Sequence, residues 1–196
     1  MTINTRIVLC SAALAALMLP ASAQINQRKE NQQDRIANGV ASGQLTAGET
    51  TKLEKKESNL NKEEKLMRSE DGGKLTGADR KVLNQQQNSL SKQIYQDKHN
   101  AAVQNTNPKS EVGKRAENQQ DRIAQGIKSG QLTAGETAKL ENQQRGINQQ
   151  VKADRAANGG KLTAGEKVQV NREQNQASKN IYNKKHNART QPGTKK

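Results

Sequence analysis

The stretch SGQLTAGET occurs twice without a change, at residues 42–50 and 129–137, and it decides the fold. In each copy a threonine is followed three residues later by a glutamate, which is the pattern of a helix capping box. The threonine hydroxyl can accept from the third helical amide, and the glutamate can reach back to the cap amide at the positive end of the helix dipole. A glycine three residues before the threonine supplies the turn. The stretch therefore predicts a loop that ends one helix and begins the next.

The repetition extends well beyond this loop at a constant offset of 87 residues. ENQQDRIANGVASGQLTAGETTKLEK at 30–55 aligns with ENQQDRIAQGIKSGQLTAGETAKLEN at 117–142, and IYQDKHN at 94–100 aligns with IYNKKHN at 181–187. Such a period indicates a duplicated supersecondary module rather than a random coil.

The duplication also predicts the organisation of the chain. We expect a first helical repeat unit at 24–100 and a second at 117–187, followed by a basic polar tail at 188–196. The intervening segment 101–116 holds a proline and a glycine with little apolar material, which predicts a linker.

Each unit carries the loop pattern twice, in the form G-x-L-T-x-x-E/D. The glycine sets the turn, the leucine can reach the core, and the threonine and the acid cap the next helix. The predicted loop anchors are Gly43, Leu45, Thr46, Glu49, Gly73, Leu75, Thr76, Asp79, Gly130, Leu132, Thr133, Glu136, Gly160, Leu162, Thr163 and Glu166.

Apolar residues recur at helical spacing between these loops. Leu53, Leu60 and Met67 follow the first loop, and a matching series follows the others. The pattern predicts three helices per unit, near 26–41, 47–69 and 77–99, with the second unit 87 residues later. The predicted fold class is all-α, with two tandem three-helix units that each contain two helix-loop-helix turns. The apolar stripe is narrow, so self-association is one route to further burial.

The N-terminal residues MTINTRIVLCSAALAALMLPASA, at 1–23, have the layout of a cleaved secretory signal peptide. One arginine precedes an apolar run, and a small-residue Ala-Ser-Ala site follows it. The run is too short for a stable bilayer span. We therefore expect a periplasmic or extracellular protein with no stable membrane anchor after signal cleavage. The single cysteine lies within the apolar run, so the exported chain would contain no disulfide.

The chain is strongly basic, with a formal net charge of +14 from 33 Lys and Arg against 19 Asp and Glu. An exported protein of this charge is attracted to polyanions such as nucleic acid, anionic lipid headgroups or acidic polysaccharide. The charges are interspersed, so an ordinary solvated surface is the alternative. Basic residues concentrate only near the C-terminus, where the candidate polyanion contacts are Lys179, Lys184, Lys185 and Arg189.

The loops resemble the EF-hand, the helix-loop-helix calcium module. When the glycine is placed at loop position six, the leucine falls at position eight, the threonine at nine and the acid at twelve. Calcium also requires oxygen ligands at positions one, three and five, but Arg68 and Arg155 occupy position one in two of the loops. This difference favours loops without metal. The second loop has the most acids, and the resemblance makes Glu70, Asp71 and Asp79 the candidate calcium ligands.

The whole unit, from DRIANGVASGQLTAGE through GGKLT to the IYxxKHN end, also resembles a group of uncharacterised exported bacterial tandem-repeat proteins. This resemblance implies compartment and architecture, and it supplies no activity.

Few residues offer chemistry. Tyr95 and His99, repeated as Tyr182 and His186, lie four residues apart near a predicted helix end. Each histidine is a candidate transition-metal ligand, or a cation that suits the helix C-terminus. Neither a G-x-S-x-G elbow nor a phosphate-binding loop occurs in the sequence. The sequence indicates no enzyme and no required cofactor, and it leaves calcium or a transition metal open.

Three functions follow from these observations. The first is an exported, non-enzymatic helical module with a structural or interaction role, for which the chain itself is one candidate partner. The second is a non-specific binder of extracellular nucleic acid or another polyanion. The third is a calcium-binding relative of the EF-hand.

Overall fold

The computed structural model describes residues 21–193, and its regular structure in this range is entirely helical. The all-α prediction is therefore confirmed. The helices are α1 (Ala21–Ala41), α2 (Ala47–Glu70), α3 (Gly77–Lys98), α4 (Glu111–Lys128), α5 (Ala134–Ala157) and α6 (Ala164–Lys185). Most of the predicted signal peptide, 1–23, lies outside the described residues. Among residues 21–193, no helix combines the length and apolar content needed to cross a bilayer.

Four helices begin with a capping box. Thr46, Thr76, Thr133 and Thr163 are the N-caps of α2, α3, α5 and α6, and each exchanges hydrogen bonds with the acid three residues later. The glycines that precede α2 and α5 have left-handed backbones, with φ of 70° at Gly43 and 68° at Gly130. A side chain at Gly43 would also meet the carbonyl oxygen of Gln104 at 2.5 Å. Only glycine suits this turn.

The most extensive helix contacts join the first sequence copy, which holds α1–α3, to the second, which holds α4–α6. Helix α2 packs along α5, and α1 packs against α4. The α2–α5 pair is antiparallel, because Gly48 at the start of α2 lies near Arg145, while Gly135 at the start of α5 lies near Ser58. Helix α3 covers α1 and α2, and α6 covers α4 and α5.

The predicted apolar stripe is buried. Leu53, Leu83, Ile94, Ile123 and Ile181 are at most 1% exposed. One hydrophobic cluster contains residues from both sequence copies, and a smaller cluster around Ile147 and Val170 belongs to the second copy alone. Burial of each such side chain stabilises the fold by about 1.5–3 kcal/mol.

The predicted linker 101–116 is shorter in the structure. Helix α4 begins at Glu111, because the Ser110 hydroxyl accepts from the Gly113 amide at 3.2 Å and serves as its N-cap. A glycine in the first turn of a helix does not break it when the cap is in place. The non-helical part of the predicted linker therefore ends at the cap residue.

The predicted tail 188–196 is not a free extension over the part that the structure describes. The Gln191 amide donates to the Gly130 carbonyl at 3.0 Å, and its side-chain oxygen accepts from the Ala134 amide at 2.7 Å. The Gln104 amide makes the corresponding contact with the Gly43 carbonyl at 2.8 Å. The chain after α3 and after α6 thus returns to the loop before α2 and before α5, respectively.

Candidate functional site

The loops before α2 and α5 bind the ends of α3 and α6. Glu49 uses one carboxylate oxygen to accept from the Thr46 amide at 2.9 Å. Its other oxygen accepts from the Asn100 side chain at 2.6 Å. The second copy has the same arrangement, in which Asn187 donates to Glu136 at 2.7 Å. In both copies, this hydrogen bond joins the acid of the G-x-L-T-x-x-E loop to the asparagine of the IYxxKHN segment. The leucines Leu45 and Leu132 are buried beneath these loops.

The loops before α3 and α6 are more exposed. The Thr76 amide donates to Asp79 at 2.8 Å, and the Thr163 amide donates to Glu166 at 2.7 Å. Hydrogen bonds from the Thr76 hydroxyl and then its amide lower the pKa of Asp79, and the Thr163 amide bond lowers the pKa of Glu166. Leu75 and Leu162 reach the core, and Gly73 and Gly160 both have φ of 88°.

The candidate metal ligands are not gathered into a site. In the range 21–193, no group of three or more His, Cys, Asp and Glu side chains is placed to hold a metal ion. Asp71 is the C-cap of α2 and Asp79 lies in the first turn of α3, so both flank one loop with Glu70. The carboxylate of Asp79 already accepts from the Thr76 amide and hydroxyl.

His99 and His186 are the C-cap residues of α3 and α6. Each ring stacks on the tyrosine four residues earlier, with ring centroids 4.1 Å apart. Each Nδ1 lies 2.7 Å from that tyrosine's carbonyl oxygen, which can only accept, so Nδ1 carries the proton. Both histidines thus satisfy carbonyl groups at a helix end.

A concave surface that we name groove A lies between the two sequence copies. It is lined by 46–48 at the start of α2, by 103–105, by Pro108 and by the second half of α5, and its volume is about 930 Å³. Four cations line it: Lys109, Arg145, Lys152 and Arg155. Glu117 is the one carboxylate among its described lining residues.

A second surface, groove B, repeats this arrangement with the copies exchanged. It is lined by 133–135 at the start of α5, by 189–192 and by the middle of α2, and its volume is about 350 Å³. Lys62, Lys65 and Arg189 line it, with no carboxylate among the described lining residues. The antiparallel contact between α2 and α5 generates both grooves, since each helix start faces the later turns of the other helix.

Most basic side chains in the range 21–193 form no ion pair with an acid. The ion pairs in the described part of the chain involve three cations, Lys29, Arg68 and Arg189, and the Arg189 pair with Glu136 is long at 4.0 Å. The other groove cations therefore keep their charge available to an anion. Of the cations predicted to contact polyanions, Arg189 lines groove B.

The remaining predicted contacts lie on α6 outside both grooves. Lys179 is exposed, and Lys184 and Lys185 are half-buried. The Lys185 stem packs beside Gly126 of α4. Burial, and then the nearby Arg122, lower the pKa of Lys185. Apart from Arg189, sequence reasoning missed the groove cations, because they are distant along the chain and adjoin acidic or neutral residues.

The interior contains a glutamine network that repeats in both copies. Gln32 donates to the Gln87 carbonyl at 2.7 Å and to the Ser91 hydroxyl at 2.8 Å, which ties α1 to α3. Gln119 makes the same contacts with Gln174 and Ser178 of α6, at 2.6 and 2.7 Å. Buried amides of this kind must be hydrogen-bonded to be tolerated. The low apolar content of the sequence is thus compensated by ordered polar contacts.

Carboxyl groups are also buried where α2 meets α5. Glu54, Glu57 and Glu141 are 0% exposed. Burial raises the pKa of Glu54 well above its ordinary value, with the charges of Glu57 and Glu141 acting in the same direction. Burial raises the pKa of Glu141 to about 7, although the hydrogen bond from Gln120 opposes the shift. These carboxyls bind protons much more readily than exposed ones.

One buried ion pair accompanies these acids. Lys29 of α1 pairs with Glu64 of α2, and Arg68 binds the other oxygen of Glu64 at 2.7 Å. Burial opposes the ionisation of Glu64, but the two cations together lower its pKa. The second copy has Ala116 and Val151 at the positions of Lys29 and Glu64, so this pair belongs to the first copy alone.

Comparison with known protein families, with curated proteins and with solved structures finds no match to this chain.

Proposed function

We propose that the protein is an exported, non-enzymatic helical interaction module that binds polyanions. The observation that carries this proposal is the pair of grooves, A and B, which occupy corresponding places in the two sequence copies and are both lined by cations that mostly lack acidic partners among the described residues. Cations without acidic partners attract phosphate or sulfate groups without sequence selectivity. The net charge of +14 supports the same assignment.

The spacing of the grooves favours a polymeric anion over a small one. Groove A begins at the start of α2, and groove B includes Lys62 on the same helix. At a rise of about 1.5 Å per residue, these positions lie roughly 20 Å apart along the helix axis. Duplex DNA carries a charge about every 1.7 Å along its axis. A duplex longer than the separation of roughly 20 Å can therefore place phosphates in both grooves. Simultaneous contact then increases the overall affinity.

We further propose that the chain forms two tandem three-helix units, whose EF-hand-like turns hold no metal. The four capping boxes support it, because the acids at loop position twelve already bind backbone amides. The resemblance to exported tandem-repeat proteins and the signal-like N-terminus support a periplasmic or extracellular location.

Binding to duplex DNA tests the function. We expect the chain from residue 24 onward to bind a duplex of about 20 base pairs, with an affinity that falls steeply between roughly 50 and 200 mM salt. Tripolyphosphate is too short to reach both grooves and should bind much more weakly. Equal affinity for both anions, or an affinity for DNA that is independent of salt, would contradict the proposal.

A structural role through self-association is the alternative. Large apolar side chains are exposed on α2 and α6, with Leu66 62% and Val168 51% exposed. Light scattering over a range of protein concentrations, with and without DNA, separates the two roles. Assembly without DNA supports the structural role, and a monomer that binds DNA supports the polyanion role.

A further inference from the structure

The buried polar network differs between the two sequence copies at one position. Gln144 of α5 donates from Nε2 to Gln119 Oε1 at 3.0 Å. At the offset of 87, the counterparts of these residues in the first copy are Glu57 and Gln32. An ionised carboxylate has no hydrogen to donate. In the described part of the chain, both oxygens of Glu57 and the Oε1 atom of Gln32 have no hydrogen-bond partner.

We propose that the Glu57 carboxyl group is a proton-dependent contact, which donates its O–H to Gln32 Oε1 when protonated and loses this contact with α1 when ionised. The second copy has an amide at this position and makes the contact at every pH. At this position the first copy therefore has a pH-dependent contact, and the second copy has its pH-independent counterpart.

The surroundings of Glu57 favour proton uptake near neutral pH. The side chain is 0% exposed. Burial raises its pKa to about 7, the charge of Lys29 on α1 opposes this shift, and Glu64 on α2 adds to it.

Other titratable groups lie on the helices around Glu57. Glu54 lies close on the same helix, and Glu141 of α5 acts on Glu54. Asp97 of α3 lies near Glu49 and Lys52, which belong to the first two turns of α2.

The contact matters because Gln32 also links α1 to α3. Its amide nitrogen binds the Gln87 carbonyl and the Ser91 hydroxyl, and a bond to its oxygen would fix the remaining end of the amide. Ionisation of Glu57 leaves unpaired oxygens from both side chains in the interior, which is costly. The stabilisation is fully present below the ordinary pKa of 4.5 and is lost as the pH rises to about 7.

The titration of Glu57 can be measured in the unmodified chain by carboxyl ¹³C NMR. We expect the Glu57 resonance to titrate near neutral pH. A Glu57 midpoint near the ordinary value of 4.5 would overturn the proposal, and this measurement does not depend on whether a variant folds.

Two substitutions exchange the residues of the copies. Glu57→Gln should raise the melting temperature at about pH 8 by at least about 5 °C and leave it nearly unchanged below pH 4.5. Gln144→Glu should add a comparable pH-dependent loss. Glu70→Gln removes the same charge from the exposed end of α2 and serves as the control. If Glu57→Gln and Glu70→Gln follow the same pH profile, the proposal is wrong.

Hydrogen exchange locates the effect. Protection factors for α1 should fall between about pH 6 and pH 8 relative to those for α4, and Glu57→Gln should abolish this difference. Equal loss of protection in both helices would show that the pH response is not specific to the first copy and would overturn the proposal.

Discussion

The side-chain amide of Asn100 donates to the carboxylate of Glu49 at 2.6 Å, and this bond links the end of α3 to the first turn of α2. Glu49 thereby closes a capping box with one oxygen and holds the neighbouring helix with the other. Asn187 and Glu136 repeat the bond in the second copy. Two motifs that are 51 residues apart in the sequence thus form a single structural element.

Replacement of Asn100 by alanine should lower the free energy of unfolding by about 1 kcal/mol, because the charge-assisted bond to Glu49 and the exposed bond from the Ala102 amide are lost. In thermal denaturation this corresponds to a decrease of roughly 2–4 °C. Asn59→Ala, at an exposed position of α2, is the matched control and should have a much smaller effect. Equal effects of the two substitutions would contradict a linking role for Asn100.

The threonine caps make a separate contribution to stability. Thr46→Ala should cost about 1 kcal/mol, because the Glu49 amide loses its acceptor at the helix start. Thr46→Ser keeps the hydroxyl and should retain most of the stability. The same pair of changes at Thr133 should behave alike. If neither alanine variant changes the melting temperature, the capping account of the loops is wrong.

Stability should be greatest at mildly acidic pH. The raised pKa values of Glu57 and Glu141 give stabilisation that is complete below 4.5 and is lost as the pH rises to about 7, and the raised pKa of Glu54 acts in the same direction. Glu64 and Asp79 have lowered pKa values, so their contribution is lost as the pH falls through their ordinary values. Together these groups predict a maximum near about pH 5, with up to about 1.4 kcal/mol lost per pH unit for each buried carboxyl above it.

Thermal melts over a series of pH values test this expectation, and Glu141→Gln provides a specific check. The amide removes the cost of ionising a buried carboxyl, so the variant should melt higher than the unmodified chain at about pH 8 and similarly at about pH 4. A melting temperature that increases steadily toward pH 8 would contradict the burial of these acids.

Calcium should leave the helix content unchanged. The acid at loop position twelve of the second loop, Asp79, is committed to Thr76, and the flanking Glu70 and Asp71 supply too few ligands for calcium. Circular dichroism with calcium and with EDTA should give superimposable spectra. A gain of helicity with calcium would restore the EF-hand interpretation of the loops.

The helices and their caps are predictable from the sequence because both depend on local patterns. The Thr-x-x-Glu spacing marks a helix start at Thr46, and leucines seven residues apart mark a buried stripe. Helix α4 begins two residues before position 113, which the offset of 87 predicts, and it overlaps the linker predicted from Pro108 and Gly113, because Ser110 is a good N-cap. The N-cap serine is the local signal for this helix start, but the nearby proline and glycine indicate a linker.

The buried acids and the grooves could not be predicted in this way. Helix α2 has the sequence AGETTKLEKKESNLNKEEKLMRSE, in which Glu54 and Glu57 are typical of a solvated face. They are buried because α2 packs along α5 and against α1, and these contacts join residues that are far apart in the chain. Groove A likewise combines the start of α2 with Arg145 and Lys152 of α5, which no periodicity within one helix reveals.

The most direct test of the account measures DNA binding by groove variants as a function of salt. Lys62→Gln with Lys65→Gln removes two cations from groove B, and Lys81→Gln with Lys92→Gln removes two exposed cations from α3 as a control. We predict that the groove variant weakens binding by about tenfold or more and reduces the salt slope by about one per lost phosphate contact, while the control retains most of the affinity. Equal losses in both variants would mean that net charge alone attracts DNA and that the grooves are not its binding site.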